Sequence, residues 1–188
     1  MSATRTLMFL MLCCGGLAIA AGEDSPVLAG KVTKVIDGDT IDVLLGSGRI
    51  RVRLHGIDAP ERDQPGGAEA GQWLRERLQD REVLLEPVTQ DRYDRLVAIV
   101  HEGDQNVNAA LVASGHAWAY RRYLRRADGH LCESEFSARR ERAGLWGAAA
   151  AHAPWEFRST RGRGPFTDFS SQTAKECVAS RGQAAARS

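Results

Sequence analysis

Acidic and arginine side chains gather in three short segments of the chain. Val35–Thr40 places two aspartates around a glycine, Arg53–Glu61 carries an arginine followed by two acids, and Arg92–Arg95 begins and ends with arginine. Carboxylate oxygens are the ligands that hard divalent cations prefer, and guanidinium groups neutralise phosphate through forked hydrogen bonds. Together, these segments contain what is needed to bind a divalent cation and a phosphodiester.

The candidate residues fall into two chemical groups. Asp39, Asp58 and Glu61, together with backbone carbonyls, could surround a cation such as calcium if neighbouring strands bring them together. Arg53 and Arg95 could neutralise the nonbridging oxygens of a phosphodiester under attack. An Asp-Gly turn alone is more often structural than functional, so the conjunction of the segments is what indicates a site.

Mostly β-strands are predicted to position these residues. Apolar and polar residues alternate over Leu28–Leu45, with a break at residues 37–39, and again over Ile50–His55. This pattern predicts three antiparallel strands in a meander. Two further strands are predicted at Val83–Val88 and Leu96–Val100.

Three helices are predicted beside the strands. Apolar residues recur at helical spacing over Ala70–Leu78, Val107–Ala113 and Leu131–Ala143, and Gly115 and Gly144 end the last two. The expected architecture is therefore α+β and predominantly β, a five-stranded OB-fold barrel with about three packed helices. That fold is a common nucleic-acid platform, but a fold does not establish an activity.

The ends of the chain differ in composition from its middle. Residues 1–21 combine Arg5 with an apolar run and small residues before residue 21, which is typical of a cleaved secretory signal. A membrane anchor is the alternative, although a run of about 15 apolar residues falls short of the roughly 20 that span a bilayer. We expect a linker over 22–27, one domain over 28–158 and a flexible tail over 159–188, which has few large apolar residues.

Two of the four cysteines would remain after signal cleavage. Cys13 and Cys14 would leave with the signal, and the residues before them lack the small residue expected beside a lipidated cysteine. Cys132 and Cys177 would enter a compartment that permits a disulfide, and both the bridge and free thiols stay open. The formal net charge of +1 gives no global indication of a polyanionic partner.

The three segments, in this order and spacing, resemble those of the staphylococcal nuclease family. The resemblance covers roughly residues 28–158 and extends to Val107–Val112, Ala117–Tyr120, Ala143–Trp146 and Pro154–Arg158. The last of these is similar to bacterial exported members. The resemblance supports the OB-fold expectation.

The resemblance implies a calcium site. Asp39 and Asp58 would bind Ca²⁺, with the carbonyl of Ala59 as a further ligand, while Asp37 and Thr40 would support the site. The family usually has threonine where Ala59 stands, but a main-chain ligand is compatible with that change.

The resemblance also implies roles around the phosphate. Glu61 corresponds to the acid proposed as general base, and Arg53 and Arg95 correspond to the phosphate-contacting arginines. Trp118 and Tyr120 stand where tyrosines help to hold the nucleotide. Packing of either ring into the core is the alternative, for Trp118 above all.

The expected protein is a calcium-dependent endonuclease that cuts DNA and RNA and leaves 3′-phosphate ends. Two alternatives remain: a family domain without catalysis that only binds, and an OB-fold that holds single strands without cutting. The second gives no reason for Asp39, Asp58 and Glu61 together. We expect a secreted or periplasmic monomer with no stable membrane association after signal cleavage.

Overall fold

Eight β-strands are present in the computed structural model, which describes residues 26–147, 151–161, 163, 165–169 and 171–181. They are β1 (Leu28–Val35), β2 (Thr40–Leu45), β3 (Gly48–Leu54), β4 (Ile57–Asp58), β5 (Glu82–Gln90), β6 (Leu96–Glu102), β7 (Gln105–Asn106) and β8 (Trp118–Ala119). The helices of the described residues are α1 (Gly67–Leu78), α2 (Val107–Ala113), α3 (Gly129–Glu141), α4 (Pro154–Thr160) and α5 (Ala174–Ala179). The predicted signal and most of the predicted linker lie outside the described residues.

The five longer strands close into a barrel. They pair in the order β3, β2, β1, β5, β6, and β6 returns to pair with β3 in parallel, with Val52 opposite Leu96 and Leu54 opposite Ala98. The other pairings among the five are antiparallel, and β1 to β3 form the predicted meander. The predicted OB-fold barrel is confirmed.

The alternation of the strands decides which side chains fill the barrel. Val32, Ile41, Val43 and Val52 have no exposed surface, whereas neighbours such as Lys31 and Arg51 are exposed. Fully burying an aliphatic side chain of this kind stabilises the fold by roughly 1.5–3 kcal/mol. Helix α1 adds its own apolar face, with Leu74 fully buried against the same core.

Gly38 lets the β1–β2 turn approach the rest of the domain. A Cβ atom at this position would lie 2.6 Å from the Cβ of Ala59 and 2.8 Å from that of Ala70. Only glycine therefore allows Asp37 and Asp39 to come this close to the residues that follow β4 and to α1.

The described part of the predicted tail packs against the domain, which differs from the expectation of a tail without packed structure. Helix α5 is joined to α3 by the disulfide Cys132–Cys177, whose Cα atoms are 5.8 Å apart, so the bridged alternative describes these cysteines. The ring of Phe169 lies 5.5 Å from that of Trp118, and Arg139 donates to the carbonyl of Gln172. The disulfide and the aromatic contacts of Phe169 with Trp118 and Trp155 hold this segment, which has few large apolar residues of its own.

A membrane-spanning helix is not found among the described residues: none of their helices is both long and apolar enough to cross a bilayer.

Candidate active site

Arg53 links two aspartates that are distant in the sequence. Its Nη1 atom lies 2.7 Å from Oδ2 of Asp39, and its Nη2 atom lies 3.0 Å from Oδ1 of Asp58. Both aspartates are buried: 7% of the surface of Asp39 and 1% of that of Asp58 is exposed. The structure thus brings together three of the predicted site residues.

Strand pairing accounts for this meeting. Asp39 directly precedes β2, whose first residue Thr40 pairs with Arg53 of β3. Asp58 lies in β4, the strand that follows β3, and pairs there with Trp118 of β8. Local hydrogen bonds then fix the first carboxylate, because its oxygens accept from the hydroxyl of Thr40 at 3.0 Å and from the backbone N–H of Ala59 at 3.0 Å.

Desolvation and mutual repulsion act on the acids of this cluster. Burial raises the pKa of Asp58 to about 6, against the opposing influence of Arg53 and Arg158. Burial, and after it the charge of Asp39, raises the pKa of Asp37 to about 6. The Asp37 side chain also accepts from the backbone N–H of Asp39 at 3.2 Å. Positive charge at this cluster therefore stabilises the ionised acids.

The donor set fits an oxygen-liganded divalent cation such as calcium. Asp39, Asp58 and the carbonyl of Ala59 would hold it, and all three offer hard oxygen ligands. Burial raises the pKa of the Asp58 carboxyl and of the half-buried Asp37 carboxyl, and a bound cation would favour the ionised form of both. Over the described part of the chain, no group of three or more His, Cys, Asp or Glu side chains is arranged to hold a metal ion. A bound cation would therefore complete its coordination with carbonyl and water oxygens.

Glu61 reaches the same cluster through an arginine that sequence reasoning missed. Nη1 of Arg158 lies 2.7 Å from Oε1 of Glu61, and Nη2 lies 2.8 Å from Oδ2 of Asp58. Arg158 stands on α4, 100 residues after Asp58 in the sequence. The predicted base and a predicted metal ligand thus share one guanidinium.

A cleft of about 320 Å³ adjoins the acidic cluster and contains the second predicted phosphate-binding arginine. It is lined by Ile36, Asp37, Thr40, Arg51, Tyr93 and Arg95. Pairing of Val52 with Leu96 sets Arg51 of β3 beside Arg95, which directly precedes β6. Arg95 is oriented by Asp91, whose Oδ2 atom accepts from Nε at 2.7 Å. The cleft therefore offers two guanidiniums and an aromatic ring next to the acids.

Comparison with known proteins places this geometry in a family. The family model described as "Staphylococcal nuclease homologue" matches residues 51–148. The chain is 43% identical to a micrococcal nuclease of Shigella flexneri over 138 residues, which cover 69% of this chain and 79% of that protein. It is 43% identical to Protein ParB of Escherichia coli over 140 residues, covering 70% of this chain and 79% of that protein. It is 35% identical to an uncharacterized endonuclease of Escherichia coli O157:H7 over 130 residues, covering 69% and 84%. The chain belongs to the staphylococcal nuclease family.

The aromatic residues of this staphylococcal nuclease homologue divide between core and surface. Trp118 has no exposed surface, and its ring lies 4.5 Å from that of Trp146 and 5.6 Å from that of Trp155. No face of the Trp118 ring is open to a base, so the packing alternative describes it and the nucleotide-binding expectation is corrected. Tyr120 is half-buried, stacks on Trp155 at 5.4 Å, and has its hydroxyl 3.4 Å from Arg158.

Two residues of the site carried no clear local signal. Tyr93 is 63% exposed, lines the cleft and has the guanidiniums of Arg92 and Arg95 over its ring. Its place between two arginines of the third segment could have indicated a stacking surface. Arg158 ends the Pro154–Arg158 segment, but its contact with the acids depends on the tertiary fold and could not be predicted from sequence spacing.

Proposed function

We propose that the protein is a calcium-dependent endonuclease that hydrolyses DNA and RNA and leaves 3′-phosphate ends. Membership of the staphylococcal nuclease family supports nuclease activity in general. The observation that carries the finer proposal is the joint placement of Asp39, Asp58 and Glu61 with Arg53 beside the cleft of Arg95.

The side chains divide the reaction among them. Water attacks phosphorus in line, Glu61 accepts its proton, and the bond from phosphorus to the 5′ oxygen breaks. Arg53 and Arg95 donate to the nonbridging oxygens, on which negative charge builds up, and Arg95 assists the leaving 5′ oxygen. The phosphate stays on the 3′ oxygen, and a proton is delivered to the 5′ oxygen.

A calcium ion held by Asp39, Asp58 and the carbonyl of Ala59 would supply Lewis-acid stabilisation of the phosphate. The Thr40 hydroxyl donates to the Asp39 carboxylate, and the Asp37 side chain accepts from the backbone N–H of Asp39, so both keep Asp39 in place. No 2′-hydroxyl takes part in the attack, which is why both DNA and RNA are proposed substrates.

The cleft supplies the binding surface for the nucleotide. Exposed Tyr93 offers a ring face for a base, while the hydroxyl of Tyr120 lies 3.4 Å from Arg158. Stacking of a base on an aromatic ring is worth about 1–3 kcal/mol. Affinity then comes from stacking and phosphate contacts, and the enzyme cuts without strong sequence preference.

The first test measures cleavage of single-stranded DNA and RNA by the mature chain with Ca²⁺ and with chelator. Cleavage that requires Ca²⁺ and falls by about 10²- to 10⁴-fold in Glu61→Gln is expected for loss of a general base. Glu133→Gln, which removes an exposed carboxylate on α3, is the matched control. Products should become substrates for a 3′-phosphatase. If the chain binds single strands but does not cut them with any divalent cation, it is a binding module instead.

The cellular setting is also proposed. Residues 1–21 direct export and are removed, and the mature protein acts as a secreted or periplasmic monomer without stable membrane association. The disulfide Cys132–Cys177 supports this setting, because such bonds persist in oxidising compartments. Cell fractionation and the N-terminal sequence of the mature protein test it, and intact residues 1–21 on a membrane-bound protein would contradict it.

A further inference from the structure

Arg158 makes four contacts with the acidic cluster and its surroundings. Its Nη1 atom donates to Oε1 of Glu61 at 2.7 Å and to Oδ1 of Asp58 at 3.2 Å. Its Nη2 atom donates to Oδ2 of Asp58 at 2.8 Å and lies 3.4 Å from the hydroxyl of Tyr120. Arg158 lies beyond residues 51–148, which the family model matches.

The Glu61 carboxylate depends on this arginine for its position. Its side chain is 38% exposed, and among the described residues Arg158 is the hydrogen-bond donor to its carboxylate. A long, exposed glutamate without a partner samples several rotamers. The contact with Arg158 restricts that sampling and holds the carboxylate next to Asp58.

Helix α4 is itself fixed relative to the loop that carries Glu61. Gln64 is buried and bridges the two, because its Oε1 atom accepts from the backbone N–H of Glu61 at 3.2 Å and its Nε2 atom donates to the carbonyl of His152 at 2.7 Å. Pro154 is buried at the first turn of α4, and Trp155 stacks on Tyr120 with an angle of 6° between the rings. The guanidinium of Arg158 therefore reaches Glu61 from a helix whose position is fixed by these contacts.

Charge favours the contact. Burial opposes ionisation of Arg158, but its hydrogen bonds to Asp58 and Glu61 and the negative charge of Asp58 outweigh it and raise the pKa of the guanidinium. The cluster contains four carboxylates, those of Asp37, Asp39, Asp58 and Glu61, and the two guanidiniums of Arg53 and Arg158 leave it net negative. This net charge favours the binding of a cation to the cluster.

Resting on the proposed function, we propose that Arg158 is a positioning residue of the active site, which holds the Glu61 carboxylate beside Asp58 so that it faces the attacking water. Arg158 acts through Glu61 and is distinct from the phosphate-binding arginines Arg53 and Arg95. Helix α4 thus contributes to a site whose other predicted members all precede it in the sequence by 30 residues or more.

A kinetic double-mutant cycle tests this role. Arg158→Met keeps the apolar stem and removes the charge, and it is expected to lower kcat by about 10- to 100-fold, as loss of a residue that orients a reacting group does. KM for single-stranded DNA is expected to change by less than about threefold, because the phosphate contacts persist. In the Glu61→Gln background the same substitution should lower single-turnover cleavage by less than about threefold, because there is no base left to orient. Arg158→Lys should recover part of the loss, since an ammonium can bind one carboxylate.

The control variant changes an arginine next to the same helix. Arg161→Met removes an exposed arginine just after α4 and should leave kcat unchanged. Equal kcat losses for Arg158→Met in both Glu61 backgrounds, a rise in kcat, or a loss confined to KM would each overturn the proposal.

Chemical denaturation separates failure of this proposal from failure of the proposed function. If the wild-type chain does not cut with Ca²⁺, the proposed function fails. The urea midpoints of wild type, Arg158→Met, Glu61→Gln and the double variant then test whether Arg158 fixes Glu61. A larger midpoint loss from Arg158→Met in the Glu61 background than in Glu61→Gln supports Arg158 as the residue that fixes Glu61. Equal losses would overturn it.

Discussion

The imidazole of His55 lies 2.8 Å from the carboxylate of Asp128, although 73 residues separate the two in the sequence. Both side chains are buried, and the contact ties the end of β3 to the start of α3. Asp128 also accepts from the backbone N–H of Arg125 at 2.5 Å and from its Nη2 atom at 3.1 Å. His55 therefore belongs to a structural network and does not face the acids of the site.

This network predicts a pH-dependent contribution to stability. Burial alone would raise the pKa of Asp128, but hydrogen bonds from His55 and Arg125 outweigh it and hold the pKa well below its usual value of 3.8. A depressed carboxylate pKa stabilises the fold above the unfolded pKa, and this contribution is lost as pH falls toward the folded pKa. Asp128→Asn should therefore lower the free energy of unfolding by about 2 kcal/mol at pH 7, and the difference from wild type should shrink between about pH 5 and pH 2. Urea denaturation across that range measures it; a difference that does not change with pH would contradict the assignment.

The disulfide predicts a second stability effect. Cys132 and Cys177 close a loop of 45 residues in sequence separation, for which the chain-entropy estimate is about 4 kcal/mol. Reduction should lower the urea midpoint by a corresponding amount, because it frees α5 from α3. The Cys132→Ser/Cys177→Ser double variant is the control, since the reductant should not change its midpoint. Identical midpoints for oxidised and reduced wild-type protein would show that α5 is held by its noncovalent contacts alone.

The barrel strands could be predicted from the sequence because the alternation of apolar and polar residues shows which side chains of each strand are buried. Buried positions such as Val32 and Val52 alternate with exposed residues such as Lys31 and Arg51, so the faces could be assigned without the fold. The cluster of Asp39, Arg53 and Asp58 was predicted as a set by resemblance, and strand register supplies its geometry.

The remaining features depend on tertiary contacts that leave no local pattern. Trp118 and Tyr120 are two residues apart, which in extended chain places both rings on one side, but this spacing gives no information on how deeply each ring is buried. Both rings do contact Trp155, as the shared side requires. The low apolar content after residue 158 gave no indication that a disulfide and Phe169 would anchor this segment.

The contrast between Trp118 and Tyr93 gives a third prediction, which rests on the proposed function. Trp118→Ala should lower the free energy of unfolding by about 3–5 kcal/mol, because it leaves a cavity in the aromatic core. Tyr93→Ala removes an exposed ring and should change stability little, but weaken binding of single-stranded DNA by about 5- to 150-fold if one base stacks there. Calorimetric unfolding and fluorescence anisotropy measure the two effects. Weakened binding by Trp118→Phe at unchanged stability would restore the nucleotide-binding role of Trp118.

The last prediction concerns the turn that presents Arg95. One oxygen of Asp91 accepts from the backbone N–H groups of Tyr93 and Arg95 at 2.9 and 3.0 Å, and the other accepts from Nε of Arg95 at 2.7 Å. Asp94, between them, has a φ of 59°, a left-handed conformation that the turn must maintain.

If Arg95 binds the scissile phosphate, Asp91→Ala should lower kcat/KM by up to about 10²-fold, because a displacement of about 1 Å in a positioned group can cost that much. Asp91→Asn should cost less, because its amide oxygen still accepts from the turn. Asp104→Ala removes an exposed acid at the β6–β7 turn and serves as control. Steady-state kinetics on single-stranded DNA distinguish the outcomes. Faster cleavage by Asp91→Ala would mean that Asp91 competes with phosphate for Arg95 and does not orient it, since a guanidinium released from its ion pair would then bind substrate more strongly.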